Sequence, residues 1–177
     1  FVVSTSLFAL ASLVVSNAAF QPLAQVSAAT TPESCFAFDS ATGTITNYYD
    51  NQNNDTAQPV CPRDVEIPNS IQGVSVVIIG AGAFQSKQLT SVTAPNSVTN
   101  IGNYAFQSNQ LTNVIIPDSV TNLGSYAFSH NQLTSLQLSN SLTAISSNAF
   151  YSNKLTDLTI PDSVVTIDRF SFYGNQL

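Results

Sequence analysis

From Leu89 onward the chain repeats itself with a fixed step of 22 residues, and no other feature restricts its folding as strongly. LTSVTAPNSVTNIGNYAFQSNQ begins at Leu89, LTNVIIPDSVTNLGSYAFSHNQ at Leu111, LTSLQLSNSLTAISSNAFYSNK at Leu133 and LTDLTIPDSVVTIDRFSFYGNQ at Leu155. Leu177 keeps the step, and so do Phe84, Phe106, Phe128, Phe150 and Phe172. A period of this length marks a solenoid, because one short unit cannot bury enough apolar surface to offset the ordering of its own backbone. Stacked units share faces and backbone hydrogen bonds, and the stack folds where the single copy does not.

Each unit opens with L-x-x-L-x-L, as in Leu111, Val114 and Ile116 or Leu133, Leu136 and Leu138, which is a strand signature. The apolar positions alternate with polar ones, so they face the core while Ser135 and Gln137 face outward. Pro95, Pro117 and Pro161, with Ser139 in the third copy, end the strand because proline cannot donate to a ladder. A second apolar pair spaced by three follows, Val98/Ile101, Val120/Leu123, Leu142/Ile145 and Val164/Ile167, and reads as the return side of the coil in short or helical turns. One large ring per turn then comes from Phe106 and its counterparts. Asn109, Asn131, Asn153 and Asn175 close the unit. An Asn at every turn is expected to bond neighbouring backbone along the stack, against the plainer reading of a turn residue that tolerates left-handed geometry.

Phrases such as IPDSVTNLGSYAF and LTSVTAPNSVTNIGNYAF resemble the BspA-like leucine-rich repeat family of bacterial surface proteins, over Val65 to Leu177. The unit VEIPNSIQGVSVVIIGAGAF carries five extra residues between Ile71 and Ile79 and resembles the longer first repeat of such proteins. Ser97, Ser119, Ser141 and Ser163 stand where ordinary leucine-rich repeats place Asn. The resemblance implies a parallel-stranded solenoid, attachment at a cell surface, and binding of host or neighbouring-cell proteins.

Ahead of the repeats, FVVSTSLFALASLVV has the length and composition of a signal-peptide apolar region, with small-residue cleavage patterns at Val26-Ser27-Ala28 and at Ser16-Asn17-Ala18. A buried core helix and an uncleaved membrane anchor are the alternatives. The expected organisation is a leader over 1–28, a cap over 29–64, and the solenoid over 65–177, with a long first repeat at 65–88 and regular copies from 89. In the cap, CFAFDSATGTITNYY reads as two short strands around Ala41-Thr42-Gly43. Cys35 and Cys61 bracket this segment, and after a secretory leader they are expected to form a disulfide. The stop at Leu177, with no polar terminal cap, reads as a truncation, as does the missing start.

Net charge is −6 with only four basic residues, Arg63, Lys87, Lys154 and Arg169, all scattered. Nucleic acid and anionic membranes need clustered cations, so neither is expected as a partner, and no membrane insertion of the mature domain is expected. Candidate chemistry dissolves into the repeat. His130, the single histidine, occupies the slot of Ser108 and Ser152. Asp118 and Asp162 fill one turn position two copies apart, about 10 Å at two steps of a parallel stack, just beyond the separation inverting glycosidases use. Gly80-Ala81-Gly82 begins like a dinucleotide fingerprint, yet Gly102 and Gly124 recur at the place of Gly80 and Gln85 stands where a third Gly belongs. The loop Asp50-Asn51-Gln52-Asn53-Asn54-Asp55 offers oxygen ligands but lacks the glycine and terminal Glu of a calcium hand, and Asn54-Asp55-Thr56 is a glycosylation sequon. No catalytic set, metal site or cofactor is expected.

What remains is a surface. Ser91 and Thr93, Asn113 and Ile115, Ser135 and Gln137, and Asp157 and Thr159 point outward and differ between copies while the core positions do not. A rigid ladder of non-identical side chains is how a solenoid builds a binding face, the alternative being an idle solvated face. The function expected is an exported, non-enzymatic recognition or adhesion module for a protein or glycan ligand. The competing reading is an accessory repeat region of a secreted enzyme whose catalytic domain lies beyond residue 177, and a third is a purely structural role.

Overall fold

The structure is a computed structural model that describes residues 30–50 and 60–177. The expected leader and the Asp50–Asp55 loop beyond Asp50 lie outside the described residues.

The turns of the chain build two columns of short parallel strands. The first column holds β3 (Asp64–Glu66), β7 (Ser91–Thr93), β9 (Asn113–Ile115) and β11 (Ser135–Gln137). The second holds β6 (Ile78–Ile79), β8 (Asn100–Ile101), β10 (Asn122–Leu123), β12 (Ala144–Ile145) and β13 (Thr166–Ile167). Partners such as Asn113↔Ser135 and Leu123↔Ile101 are one repeat apart, so the sequence period is the register of the stack. In the first column the outer residues are exposed and the middle ones are wholly or half buried, as alternation requires. The second column is an addition to the expected fold: the return side is made of two-residue strands, not turns. The segment around Asp157 to Thr159 forms no strand, so the fourth copy lacks the expected first-column rung.

The five extra residues of the first repeat form a hairpin, β4 (Ser70–Ile71) against β5 (Val74–Ser75). Its two-residue turn, Gln72-Gly73, has φ of 52° and 78°, the doubly left-handed geometry that matches strand twist. The insertion is absorbed there, and the second column resumes the regular step with Ile78↔Asn100.

At the front, β1 (Phe36–Asp39) and β2 (Thr44–Tyr48) form the expected antiparallel hairpin. Its turn is tied at Asp39, whose carboxylate accepts from Thr42 Oγ1 at 2.7 Å and Ala41 N at 3.0 Å, bonds that hold the carboxyl below its usual range. β2 then pairs in parallel with β6 through Ile45↔Ile79, so the cap supplies the first rung of the second column and covers its edge. Tyr48 is fully buried and donates to Pro62 O at 2.6 Å, and burial, with a smaller effect from Asp50, pushes its phenol well above the usual range. Cys35 and Cys61 are bonded and pin the two ends of the cap together. Replacing both by Ser should lower the unfolding free energy by about 3 kcal/mol, the loop-closure entropy of a separation of this size. Urea midpoints of the oxidised wild type and the double variant measure it, and equal midpoints would show that the bridge constrains nothing.

The core is a column of rings. Phe84, Phe106, Phe128, Phe150 and Phe172 stack at centroid separations of 4.9, 5.0, 5.7 and 5.4 Å with interplanar angles of 15° or less. Tyr48 and Phe36 finish the column above Phe84. Beside it runs an amide ladder. Asn109 Nδ2 donates to Phe84 O and Phe106 O, Asn131 Nδ2 to Phe106 O and Phe128 O, and Asn153 Nδ2 to Phe128 O and Phe150 O. Their Oδ1 atoms accept from Leu89 N, Leu111 N and Leu133 N at the start of their own copies. The left-handed residue is the one before each Asn: Ser108, His130 and Ser152 have φ near 55°. The bridging role of the amides is thus the correct one of the two readings.

Candidate binding surface

Six of the eight outward residues named from the sequence lie on strands of the first column, and all eight are exposed. Register places Asn113 beside Ser135 and Ile115 beside Gln137. It also adds two residues that the repeat pattern missed, because Asp64 aligns with Ser91 and Glu66 with Thr93. The longer first repeat hid that alignment. Asp64 accepts from Ser91 Oγ at 3.1 Å and also from Thr90 Oγ1, while the Glu66 side chain is exposed. One file of the face therefore runs Asp64, Ser91, Asn113, Ser135, Asp157, and the next runs Glu66, Thr93, Ile115, Gln137, Thr159.

Pairing in the first column joins β3 to β7 and β9 to β11, with no ladder between β7 and β9. A shallow groove of about 330 Å³ opens at that break, lined by Ser91, Thr93, Asn96, Asn113, Ile115 and Pro117 among others. Ile115 is 59 % exposed at its wall, an apolar contact among short polar side chains. Ser135 and Gln137 flank the groove, while Asp157 and Thr159 stand apart from it in the fourth copy.

The residues set aside as chemistry have structural employment. Asp118 accepts from Asn140 N at 2.8 Å and from Asn140 Nδ2 at 3.2 Å, a ladder bond between neighbouring copies. His130 is exposed and meets the Tyr151 ring edge-on at 5.3 Å. A Cβ on Gly80 would lie 2.7 Å from Ile45 O and one on Gly102 2.9 Å from Gly80 C, so these glycines permit close rung packing. Asp50 pairs with Lys87 at 3.7 Å. Among the described residues no group of three or more His, Cys, Asp or Glu converges as a metal site would require, and no helix is long and apolar enough to cross a membrane.

A second cleft was not foreseen. It has a volume of about 680 Å³ and is lined by Tyr126, Asn148, Tyr151, Arg169, Phe170 and Tyr173. These residues occupy three repeat positions whose variation between copies had no evident pattern in the sequence.

Parallel rungs one repeat apart, a buried ring column and an amide ladder define a leucine-rich repeat solenoid. The profile of the BspA type leucine-rich repeat region matches residues 63–177 in six copies, and the chain belongs to that family. Among solved structures, a leucine-rich repeat protein from Bacteroides capillosus is 25 % identical over 82 % of this chain and 92 % of its own, with a TM-score of 0.45. A leucine rich cell surface protein from Faecalibacterium prausnitzii is 24 % identical over 78 % of this chain, with a TM-score of 0.39. This chain covers 50 % of the length of that protein. A Bacteroides ovatus leucine-rich repeat protein is 17 % identical over 82 % of this chain and 56 % of its own, with a TM-score of 0.39. No curated protein matches the sequence.

Proposed function

We propose that this chain is an exported, non-enzymatic recognition module that adheres through the first strand column to a protein or glycan on a host or neighbouring cell. The observation that carries the reading is the groove between β7 and β9, where exposed Ile115 stands among Ser91, Thr93 and Asn113 on a rigid backbone. An apolar anchor in a polar rim is the composition of an interface centre. Placement at the cell surface rests on family membership, on the disulfide, which persists in oxidising compartments, and on the leader read from the sequence.

The test is adhesion of cells and of immobilised matrix glycoproteins to the full chain. Ile115→Asp should lower the bound fraction about tenfold, because a carboxylate must then be desolvated at the centre of the contact. Unfolding free energy should stay within about 0.5 kcal/mol, since more than half of the side chain already lies in solvent, at 59 % exposure. Undiminished adhesion after Ile115→Asp combined with Asn113→Asp and Ser91→Asp would overturn the reading in favour of a structural role.

A further inference from the structure

The aromatic cleft exists because a file of rings skips one rung. Tyr104, Tyr126, Asn148 and Phe170 hold the same repeat position with φ of 59°, 59°, 58° and 60°, so the backbone is alike in all four. Tyr104 and Tyr126 stack at 5.2 Å. Asn148 then puts a short amide where the next ring would lie, and Phe170 resumes the file. Two stack steps separate the flanking rings, about 10 Å, and only the amide fills the space between. The neighbouring file closes the side, with Tyr151 and Tyr173 stacked at 5.6 Å and Phe170 edge-on to Tyr173 at 5.6 Å. The file runs along a side wall of the coil: Tyr104, midway along the stack with rungs before and after it, is 41 % exposed, and Arg169, Phe170 and Tyr173 continue the wall on the fourth copy.

We infer that this cleft binds an acidic saccharide, its pyranose rings on the aromatic faces and its carboxylate on Arg169. Ring faces are electron-rich and receive the polarised C–H face of a sugar, while its hydroxyls need planar donors and acceptors at the edge, which Asn148 and the tyrosine hydroxyls provide. Arg169 supplies the sign of the charge. It is the only cation lining the cleft, its Cζ lies 5.9 Å above the Phe170 ring, and it makes no ion pair among the described residues. A guanidinium without a carboxylate partner, in a chain of net charge −6, suits a carboxylate brought by the ligand. One cation fits a single carboxylate and not the phosphates of a nucleic acid. The volume falls within the range of small-molecule sites.

The probe is galacturonic acid trisaccharide, with its methyl ester as the uncharged twin, titrated calorimetrically into the full chain. The wild type should bind the acid saturably and more tightly than the ester. Arg169→Gln should weaken the acid about tenfold and leave the ester unchanged, the loss of one charge-assisted contact. Asn148→Tyr should abolish binding of both by restoring the missing ring, with the urea midpoint unchanged because Tyr126 already adopts that backbone. Tyr173→Ser removes an exposed platform ring without touching the core and should weaken both ligands. Absence of saturable binding, equal affinity for acid and ester, or binding that survives both Asn148→Tyr and Tyr173→Ser would overturn the inference. Loss of binding in Ile115→Asp would also overturn it, by placing the saccharide in the groove between β7 and β9. Adhesion through that groove stands or falls separately, since the two sites share no lining residue.

Discussion

Phe128→Ala is expected to lower the unfolding free energy by about 4 kcal/mol, measured by urea titration of far-UV circular dichroism. The ring is 1 % exposed and contacts Phe106 at 5.0 Å and Phe150 at 5.7 Å, so truncation leaves a cavity bounded by two rigid rungs. Those rungs cannot collapse into it, because backbone ladders fix their spacing: Phe106 N donates to Ala127 O and Phe128 N to Ala149 O, both at 2.8 Å. Transfer and cavity contributions therefore add with little relaxation. Phe172→Ala should cost about half as much, since that ring is only half-buried and stacks on one neighbour, Phe150. Equal losses for the two variants would show that the column is not a continuous packing unit.

That column was legible in the sequence because its cause is local and repeated: one aromatic per period can be buried in one way only. The long first repeat was legible as well, since an insertion between Ile71 and Ile79 must leave the ladder, and it does so as the β4–β5 hairpin. The second strand column was not. A pair such as Val98 and Ile101 is compatible with a helical turn or a two-residue strand, and only the neighbouring rung decides between them. The union of β2 with β6 was hidden for a related reason, because it joins a segment outside the period to one inside it. The left-handed position held by Tyr104, Tyr126 and Phe170 carries no turn-residue signature in those copies; only Gly82 and Asn148 among their counterparts hint at it. On the proposed binding face, alternation placed the eight named residues at positions that are exposed. The groove required knowing that pairing breaks between β7 and β9, and the aromatic cleft required reading Asn148 as a ring omitted from a file.

The amide ladder yields the other large effect. Asn131 is 7 % exposed and joins two copies: its Oδ1 accepts from Leu111 N at 3.1 Å, and its Nδ2 donates to Phe106 O at 3.0 Å and Phe128 O at 3.1 Å. Each of those carbonyls has a second amide donor, from Asn109 and Asn153 respectively. Asn131→Ala therefore orphans one buried N–H fully and two carbonyls in part, a loss of about 3 kcal/mol. Asn131→Asp should be worse, about 5 kcal/mol at neutral pH, because it turns a donor into a buried carboxylate oxygen facing two carbonyls. The two variants also separate by pH. The introduced carboxyl has a folded-state pKa raised above its unfolded value near 3.9, so the unfolded chain ionises first as pH rises. Its penalty is then absent at low pH, where the protonated group can donate to a carbonyl, and grows as pH climbs through the unfolded pKa. Relative to wild type at each pH, Asn131→Asp should recover part of its lost stability in acid, whereas Asn131→Ala should not. A pH-independent difference between the two would mean that the position reaches solvent, and the ladder would no longer explain why each regular copy carries asparagine before its last residue.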